Sequence, residues 1–208
     1  MKEYFNKTAG GTALVLIGTV SGLFLSFVSI TIAARVLSKS DYGVFFLGFT
    51  VFNIAVVIAS LGLPDGIARY IGFYKGKKIR PENIIFTSIL VSLAFSILLA
   101  SLIFYFSEGI SGIFHTQKLS VVLRIFSLAV PFFVLLNVVA SIFRGFGNVR
   151  FKVIFLDLIP NTLRVPLIVI VALLFPTLLY MTSFFALPII LSFILSLYYR
   201  AYQYHFLE

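Results

Sequence analysis

The chain has 208 residues, of which 61% are hydrophobic and 11% are charged, and its mean hydropathy is +1.11. A soluble globular domain carries roughly 25% charged residues, so this composition excludes a soluble fold and indicates an integral membrane protein. The net charge of +9 does not indicate a nucleic-acid partner, because the basic residues cluster between apolar runs. The absence of cysteine from the sequence excludes disulfides and thiolate chemistry.

Six apolar runs follow one another, each long enough to cross the roughly 30 Å hydrocarbon layer of a bilayer. The sequence therefore predicts an all-α, polytopic bundle of six transmembrane helices that forms a single membrane domain over residues 1–208. The first run exceeds the apolar core of a signal peptide, about 7–15 residues, and is interpreted as a retained span. The predicted spans are 10–36, 44–63, 84–106, 121–143, 151–175 and 178–199.

Small residues and prolines predict local features of these spans. Gly18, Gly22 and Ser26 recur every four residues in the first span, which predicts close packing against another helix. The run Pro64-Asp65-Gly66 is predicted to end the second span as a turn. Pro131 is predicted to kink the fourth span, because proline removes a backbone donor.

The Lys and Arg residues predict the orientation of the bundle. With the N-terminus in the cytoplasm, eleven of the sixteen lie in cytoplasmic segments, four lie in outer segments, and Arg164 lies within a span. This bias predicts that both termini are cytoplasmic. The most basic segment, residues 69–80, is interpreted as a topology signal, and contact with anionic lipid or a pyrophosphate headgroup is the alternative.

Three polar side chains interrupt the fifth span. Asp157, Asn161 and Arg164 are spaced by four and three residues, so a helix places them on one face. An arginine at the centre of a span costs about 2.5–3.5 kcal/mol and normally faces a bundle interior, an ion partner or a wet cavity. Pro160 and Pro166 are expected to kink the helix beside these groups. The fifth span is therefore predicted to form the wall of a polar pathway.

A structural role for Asp157 stays open. It lies about 9 Å into the span, where it could cap the preceding basic turn or pair with Lys152. Asp157 and Arg164 are about 10 Å apart along a helix, so we expect them to connect through Asn161 or water rather than directly.

Enzymatic function finds little support in the sequence. It has two histidines and lacks an HExxH motif, a Cys/His ligand set and a GxSxG motif. No constellation of nucleophile, base or metal ligands can be assembled. We therefore predict no enzyme, no catalytic residue, no metal and no cofactor, and the identity of a coupling ion, H⁺ or Na⁺, is left open.

Four stretches resemble motifs of polysaccharide flippases. Residues 33–45 resemble the A-R-x-L-x-x-x-D-Y-G junction after the first helix, and residues 61–70 resemble the end of the second. Residues 143–148 resemble the R-G-x-G turn after the fourth helix, and residues 161–164 resemble the short polar segment within the fifth helix. The resemblance covers about residues 8–175. It is to the O-antigen and exopolysaccharide branch of the multidrug, oligosaccharidyl-lipid and polysaccharide exporter superfamily.

The resemblance implies a flippase that moves polyprenyl-pyrophosphate-linked oligosaccharide across the cytoplasmic membrane during cell-surface polysaccharide biosynthesis. The implied partners are membrane lipid and the lipid-linked oligosaccharide, bound in a cationic cavity between two helix bundles. Arg35 and Arg164 are the favoured headgroup or sugar contacts, since a guanidinium can donate two parallel hydrogen bonds to a phosphate. The candidate substrate-binding residues are Arg35, Arg69, Arg144, Asp157, Asn161 and Arg164.

Family members have about twelve to fourteen spans in two lobes, and alternating access moves two such units about a central site. The sequence matches the N-terminal lobe only, which supplies one wall of the cavity. We therefore expect a second lobe, a second copy in a dimer, or a truncated remnant. Two other functions stay open: a cation-coupled exporter of small cationic compounds, and a non-transporting subunit that serves as a scaffold for polysaccharide-assembly enzymes.

Overall fold

Six helices long and apolar enough to cross a membrane account for most of the described chain, which confirms the all-α prediction. The structure, a computed structural model, describes the backbone of residues 2–76 and 82–205 and the side chains of residues 11–74 and 82–199. Helices α2 and α3 together form one of the six spans. The helices are α1 Lys2–Val36, α2 Lys39–Ser60, α3 Leu63–Gly76, α4 Glu82–Ile113, α5 Lys118–Gly145, α6 Arg150–Leu174 and α7 Leu178–His205.

Several helices extend beyond the apolar runs that predict them. Helix α2 begins at Lys39, five residues before the predicted span, and the Ser38 hydroxyl caps it by accepting from the Asp41 N–H at 3.1 Å. Helix α4 continues to Ile113, past the predicted end of its span at residue 106. Apolar runs mark the hydrocarbon layer, whereas backbone hydrogen bonding continues into the headgroup region.

The turn predicted at Pro64-Asp65-Gly66 lies at Leu61 and Gly62 instead, where φ is +47° and +67°. Helix α3 begins at Leu63, so Pro64 and Asp65 occupy its first turn. Proline is tolerated there because the first N–H groups have no intrahelical partner, and an acidic side chain suits a helix N-terminus. Residues 77–80 of the predicted basic segment lie outside the described residues.

Helix α5 is the centre of the bundle, and α2, α3, α4 and α7 pack against it. It remains one helix across Pro131. Between α2, α5 and α7 lies a cluster of phenylalanine rings, in which Phe185 is 5.1 Å from both Phe45 and Phe49 between ring centroids. Such pairs stabilise a core by about 0.5–1.5 kcal/mol each beyond the area they bury. We call this group the phenylalanine cluster; it consists of Phe45, Phe49, Phe52, Phe126 and Phe185.

Helix α4 packs on α5 with a row of buried serines beside partly buried apolar residues such as Ile89. Its buried residues are serines, while large apolar side chains such as Phe86 and Tyr105 are exposed on its other faces. Small side chains allow two helices to approach closely, and the large apolar ones lie on the outer faces of the described bundle. The four-residue spacing of these serines is a sequence signal that our prediction missed. The buried serines are Ser88, Ser92, Ser96, Ser107 and Ser111.

The glycines of α1 lie against α6. A β-carbon at Gly22 would lie 2.7 Å from the main-chain oxygen of Asp157, and one at Gly18 would overlap the side chain of Val153. The close helix packing predicted from the small-residue stripe is therefore present at Gly18 and Gly22.

A π-helical segment, Val153–Leu158, lies just before Pro160 in α6. The Ile159 N–H donates to a carbonyl five residues back, and Pro160 has no N–H. The Phe155 carbonyl therefore loses both of its helical donors, and the Ser192 hydroxyl of α7 donates to it instead. At Pro160 the helix therefore contains a π-helical segment, and a hydroxyl of the neighbouring helix α7 bonds the carbonyl left free by it.

Replacing Ser192 with alanine is expected to lower the free energy of unfolding by about 1–3 kcal/mol, because a buried carbonyl then lacks a donor. Denaturant unfolding of the purified protein in detergent measures this loss. The control is Ser183→Ala, because the Ser183 hydroxyl bonds within its own helix, to Leu179 O at 2.9 Å. Equal losses in the two variants would contradict the role assigned to Ser192.

Candidate functional site

Arg164 is the one charged side chain that is buried among the residues whose side chains are described, with 6% of its surface exposed. It lies about 21 Å along α6 from Arg150 and about 15 Å from Leu174. These lengths place it near the middle of a hydrocarbon layer roughly 30 Å thick. The guanidinium thus faces the interior of the bundle, one of the environments expected of a central arginine.

Two contacts hold the guanidinium of Arg164. Its Cζ lies 4.0 Å from the centroid of the Phe185 ring, which is fully buried in the phenylalanine cluster. Its Nη1 donates a hydrogen bond to Asn161 Oδ1 at 3.0 Å. A desolvated cation–π contact contributes about 2 kcal/mol. The Phe185 ring thus lies against the cation, and the side-chain amide of Asn161 accepts a hydrogen bond from one of its three nitrogens.

The polar chain continues from Arg164 to α1. Asn161 Nδ2 donates to the main-chain oxygen of Asp157 at 2.7 Å, and Thr19 Oγ1 donates to Asp157 Oδ2 at 3.0 Å. Asp157 and Arg164 are therefore connected through Asn161, as expected, although the connection ends on a main-chain carbonyl. Within the described residues, the carboxylate of Asp157 bonds Thr19 rather than Lys152.

The Nε–H of Arg164 is buried and makes no hydrogen bond with the part of the chain that the structure describes. A buried donor without a partner costs about 1–3 kcal/mol, and more when the group is charged. In the planar guanidinium, Nε and Nη2 share the edge that points away from Nη1. This edge matches two oxygens of a phosphate or carboxylate, which accept two parallel hydrogen bonds.

The other candidate arginines lie outside this chain of contacts. Arg35 is exposed in the last turn of α1, and Arg69 is exposed on α3. Arg144, at the end of α5, donates through Nη2 to Asp65 Oδ1 at 2.7 Å and joins α5 to α3. The structure thus brings Asp157, Asn161 and Arg164 together and separates them from Arg35, Arg69 and Arg144.

Two cavities lie near the first turn of α5, the larger at the end of α4 and the smaller at the start of α7. The larger, about 710 Å³, is lined by polar residues that include Glu108, His115 and Gln117. The smaller, about 370 Å³, is bordered by Asp41 and Lys118, whose ion pair measures 2.6 Å. Arg164 lines neither of these cavities.

The family model described as "Polysaccharide biosynthesis protein" matches residues 8–208. The chain belongs to this family. Searches of curated proteins and of solved structures each returned no significant match. Polysaccharide biosynthesis family members are generally transporters rather than enzymes, and the six spans make this one a multi-pass membrane protein.

The sequence did not predict two residues that contact the site, Thr19 and Phe185. Thr19 directly follows Gly18 of the small-residue stripe, and a hydroxyl beside a packing glycine is a signal that could have indicated it. Phe185 is one of 25 phenylalanines and has no distinguishing spacing or neighbour. Its role depends on which helix packs on α6, and periodicity within one helix does not specify that.

Proposed function

We propose that this family member is the lobe of a flippase that moves polyprenyl-pyrophosphate-linked oligosaccharide across the cytoplasmic membrane. In this proposal the Nε–Nη2 edge of Arg164 donates two hydrogen bonds to the anionic headgroup. The observation that carries the proposal is the buried Nε–H, which has no partner among the residues that the structure describes. A partly unsatisfied cation at mid-bilayer depth is costly, and an anionic ligand would satisfy it.

Charge at the site favours an anionic cargo over a cationic one. Arg164 would repel a small cation, and the nearest acidic group, Asp157, already accepts a hydrogen bond from Thr19. A cation-coupled exporter needs a carboxylate that faces its cargo. The charge of the site is therefore better suited to an anionic headgroup than to the small cationic compounds that the alternative exporter would carry.

Two further arginines are proposed to contact the headgroup at other depths of the bundle. Arg35 and Arg69 are exposed and lie near opposite ends of the span formed by α2 and α3. They would contact the headgroup before and after it reaches the depth of Arg164. Alternating access requires a second unit, which in this proposal is another lobe or a second copy of the chain.

Binding of farnesyl pyrophosphate and of farnesol to the protein in detergent tests the headgroup contact. The two probes share the isoprenoid chain and differ in the pyrophosphate. We expect the pyrophosphate to bind at least tenfold more tightly, because charge-assisted hydrogen bonds contribute about 1.5–3 kcal/mol each. Equal affinity for the two probes would contradict the proposal.

Reconstitution in vesicles tests the movement itself. The probe is a fluorescent disaccharide on a polyprenyl pyrophosphate, and a membrane-impermeant quencher measures how fast it crosses. We expect faster crossing with the protein than in protein-free vesicles. Transport of a fluorescent organic cation without movement of the pyrophosphate would favour the exporter. Movement of neither compound by correctly inserted protein would favour a scaffold.

A further inference from the structure

We infer that Asn161 is a positioning residue that orients the guanidinium of Arg164 so that its Nε–Nη2 edge points away from Asn161. The sequence predicts a substrate contact for Asn161, and this stays a prediction. In the structure its amide bonds Arg164 and the Asp157 carbonyl. The orientation itself is independent of any cargo. Its consequence for cargo affinity rests on the proposed function.

The amide of Asn161 has one favourable orientation. The Asp157 carbonyl can only accept, so it requires the NH₂ end of the amide, which lies 2.7 Å away. The guanidinium can only donate, so it requires the oxygen end, which lies 3.0 Å from Nη1. A flipped amide would place its oxygen against a carbonyl and its NH₂ against a cation. Both partners therefore select the same orientation.

Helix α1 holds the carbonyl that orients the amide. The main-chain oxygen of Asp157 lies so close to Gly22 that a β-carbon there would be 2.7 Å away. The carboxylate of the same residue accepts from Thr19 at 3.0 Å. Movement of Asp157 relative to α1 would break these contacts. The position of α1 therefore affects the position of Arg164 through its contacts with Asp157 and the bonds of Asn161.

The Phe185 ring and Asn161 restrict different motions of the cation. The ring centroid, 4.0 Å from Cζ, limits movement of the cation away from the ring, but this contact does not select which nitrogen faces which partner. The hydrogen bond from Nη1 to Asn161 selects which edge faces away. Because Asn161 bonds Nη1, it leaves Nε free of this contact, and no other described residue bonds Nε.

Arginine NMR of the full chain in detergent tests the orientation without any cargo. In protein labelled with ¹⁵N-arginine, Arg164→Lys identifies the Arg164 signals by their loss. We expect separate, slowly exchanging Nη signals in the wild type. We expect averaged signals in Asn161→Leu, which has similar size and no hydrogen bond. The matched control is Asn53→Leu, because Asn53 makes the same bond to its own helix, to Phe49 O at 2.7 Å.

Affinity for farnesyl pyrophosphate tests the consequence. Asn161→Leu is expected to lose about tenfold in affinity, the equivalent of one hydrogen bond, while Asn53→Leu keeps the wild-type value. Asn161→Asp still accepts from Arg164 and should restore separate Nη signals. Its negative charge should nevertheless keep the affinity low.

The outcomes separate the two proposals. Identical Arg164 signals in the wild type and Asn161→Leu would overturn the positioning role, whatever the probe affinity. Separate signals in the wild type, averaged signals in Asn161→Leu and no pyrophosphate binding by either would support positioning and overturn the proposed headgroup contact.

Discussion

Replacing Gly22 with alanine will lower the free energy of unfolding by about 1–3 kcal/mol, the usual effect of overpacking a tight contact. The added β-carbon would lie 2.7 Å from the main-chain oxygen of Asp157 and 3.1 Å from its Cβ. A main-chain atom cannot move aside by changing rotamer, so α1 and α6 must separate. Denaturant unfolding in detergent measures the loss.

Two further glycines provide controls. Gly72 has no atom within 4 Å of a β-carbon, so Gly72→Ala should stabilise α3 by up to about 1 kcal/mol through helix propensity. Gly18→Ala meets the side chain of Val153, and Val153→Ala in the same protein should therefore recover part of its loss. A loss in Gly72→Ala as large as in Gly22→Ala would show that helix packing is not the cause.

Replacing Arg164 with methionine will lower the affinity for farnesyl pyrophosphate by about 100-fold or more. The reason is that two charge-assisted hydrogen bonds, each about 1.5–3 kcal/mol, are lost together. Arg164→Lys should not restore the affinity, because an ammonium lacks the planar edge with two parallel donors. Titration with farnesyl pyrophosphate, with farnesol as the reference, measures the change. Full affinity in Arg164→Lys would show that charge alone suffices.

The same position should show a conflict between stability and binding. The double variant Asn161→Leu/Arg164→Met removes a buried charge together with its amide partner. Apolar replacement of buried charged groups is often stabilising by about 1–4 kcal/mol. We expect this variant to be more stable than the wild type and to bind no pyrophosphate. A variant that loses both stability and binding would instead indicate that Arg164 is needed for the fold.

Much of the site was predictable because it depends on distances along a single helix. A period of 3.6 residues places Asp157, Asn161 and Arg164 on one face in any packing arrangement. The connection of Arg164 to Asp157 through Asn161 follows from the same spacing. The bond from Asn161 to the Asp157 carbonyl is also local, since Asn53 makes the same bond to Phe49 O in α2. The bond from Thr19 to the Asp157 carboxylate was not predictable, because it depends on how α1 packs on α6.

The sequence by itself determined the class of protein and the number of spans. Apolar runs of about 20 residues must be helical in lipid, since each backbone group must be paired within its own segment. It also determined that Gly18 and Gly22 would pack closely against another helix. The family followed from motifs that lie along the chain.

Only the tertiary structure decided which helices meet. Helix α1 packs mainly on α6 and only slightly on its sequence neighbour α2, and the Phe185 ring of α7 lies against Arg164. The physical reason is that lipid and helix faces are about equally apolar, so hydropathy does not distinguish the inner face of a span from its outer face. Shape and a few hydrogen bonds make that choice, and they form only when distant helices come together.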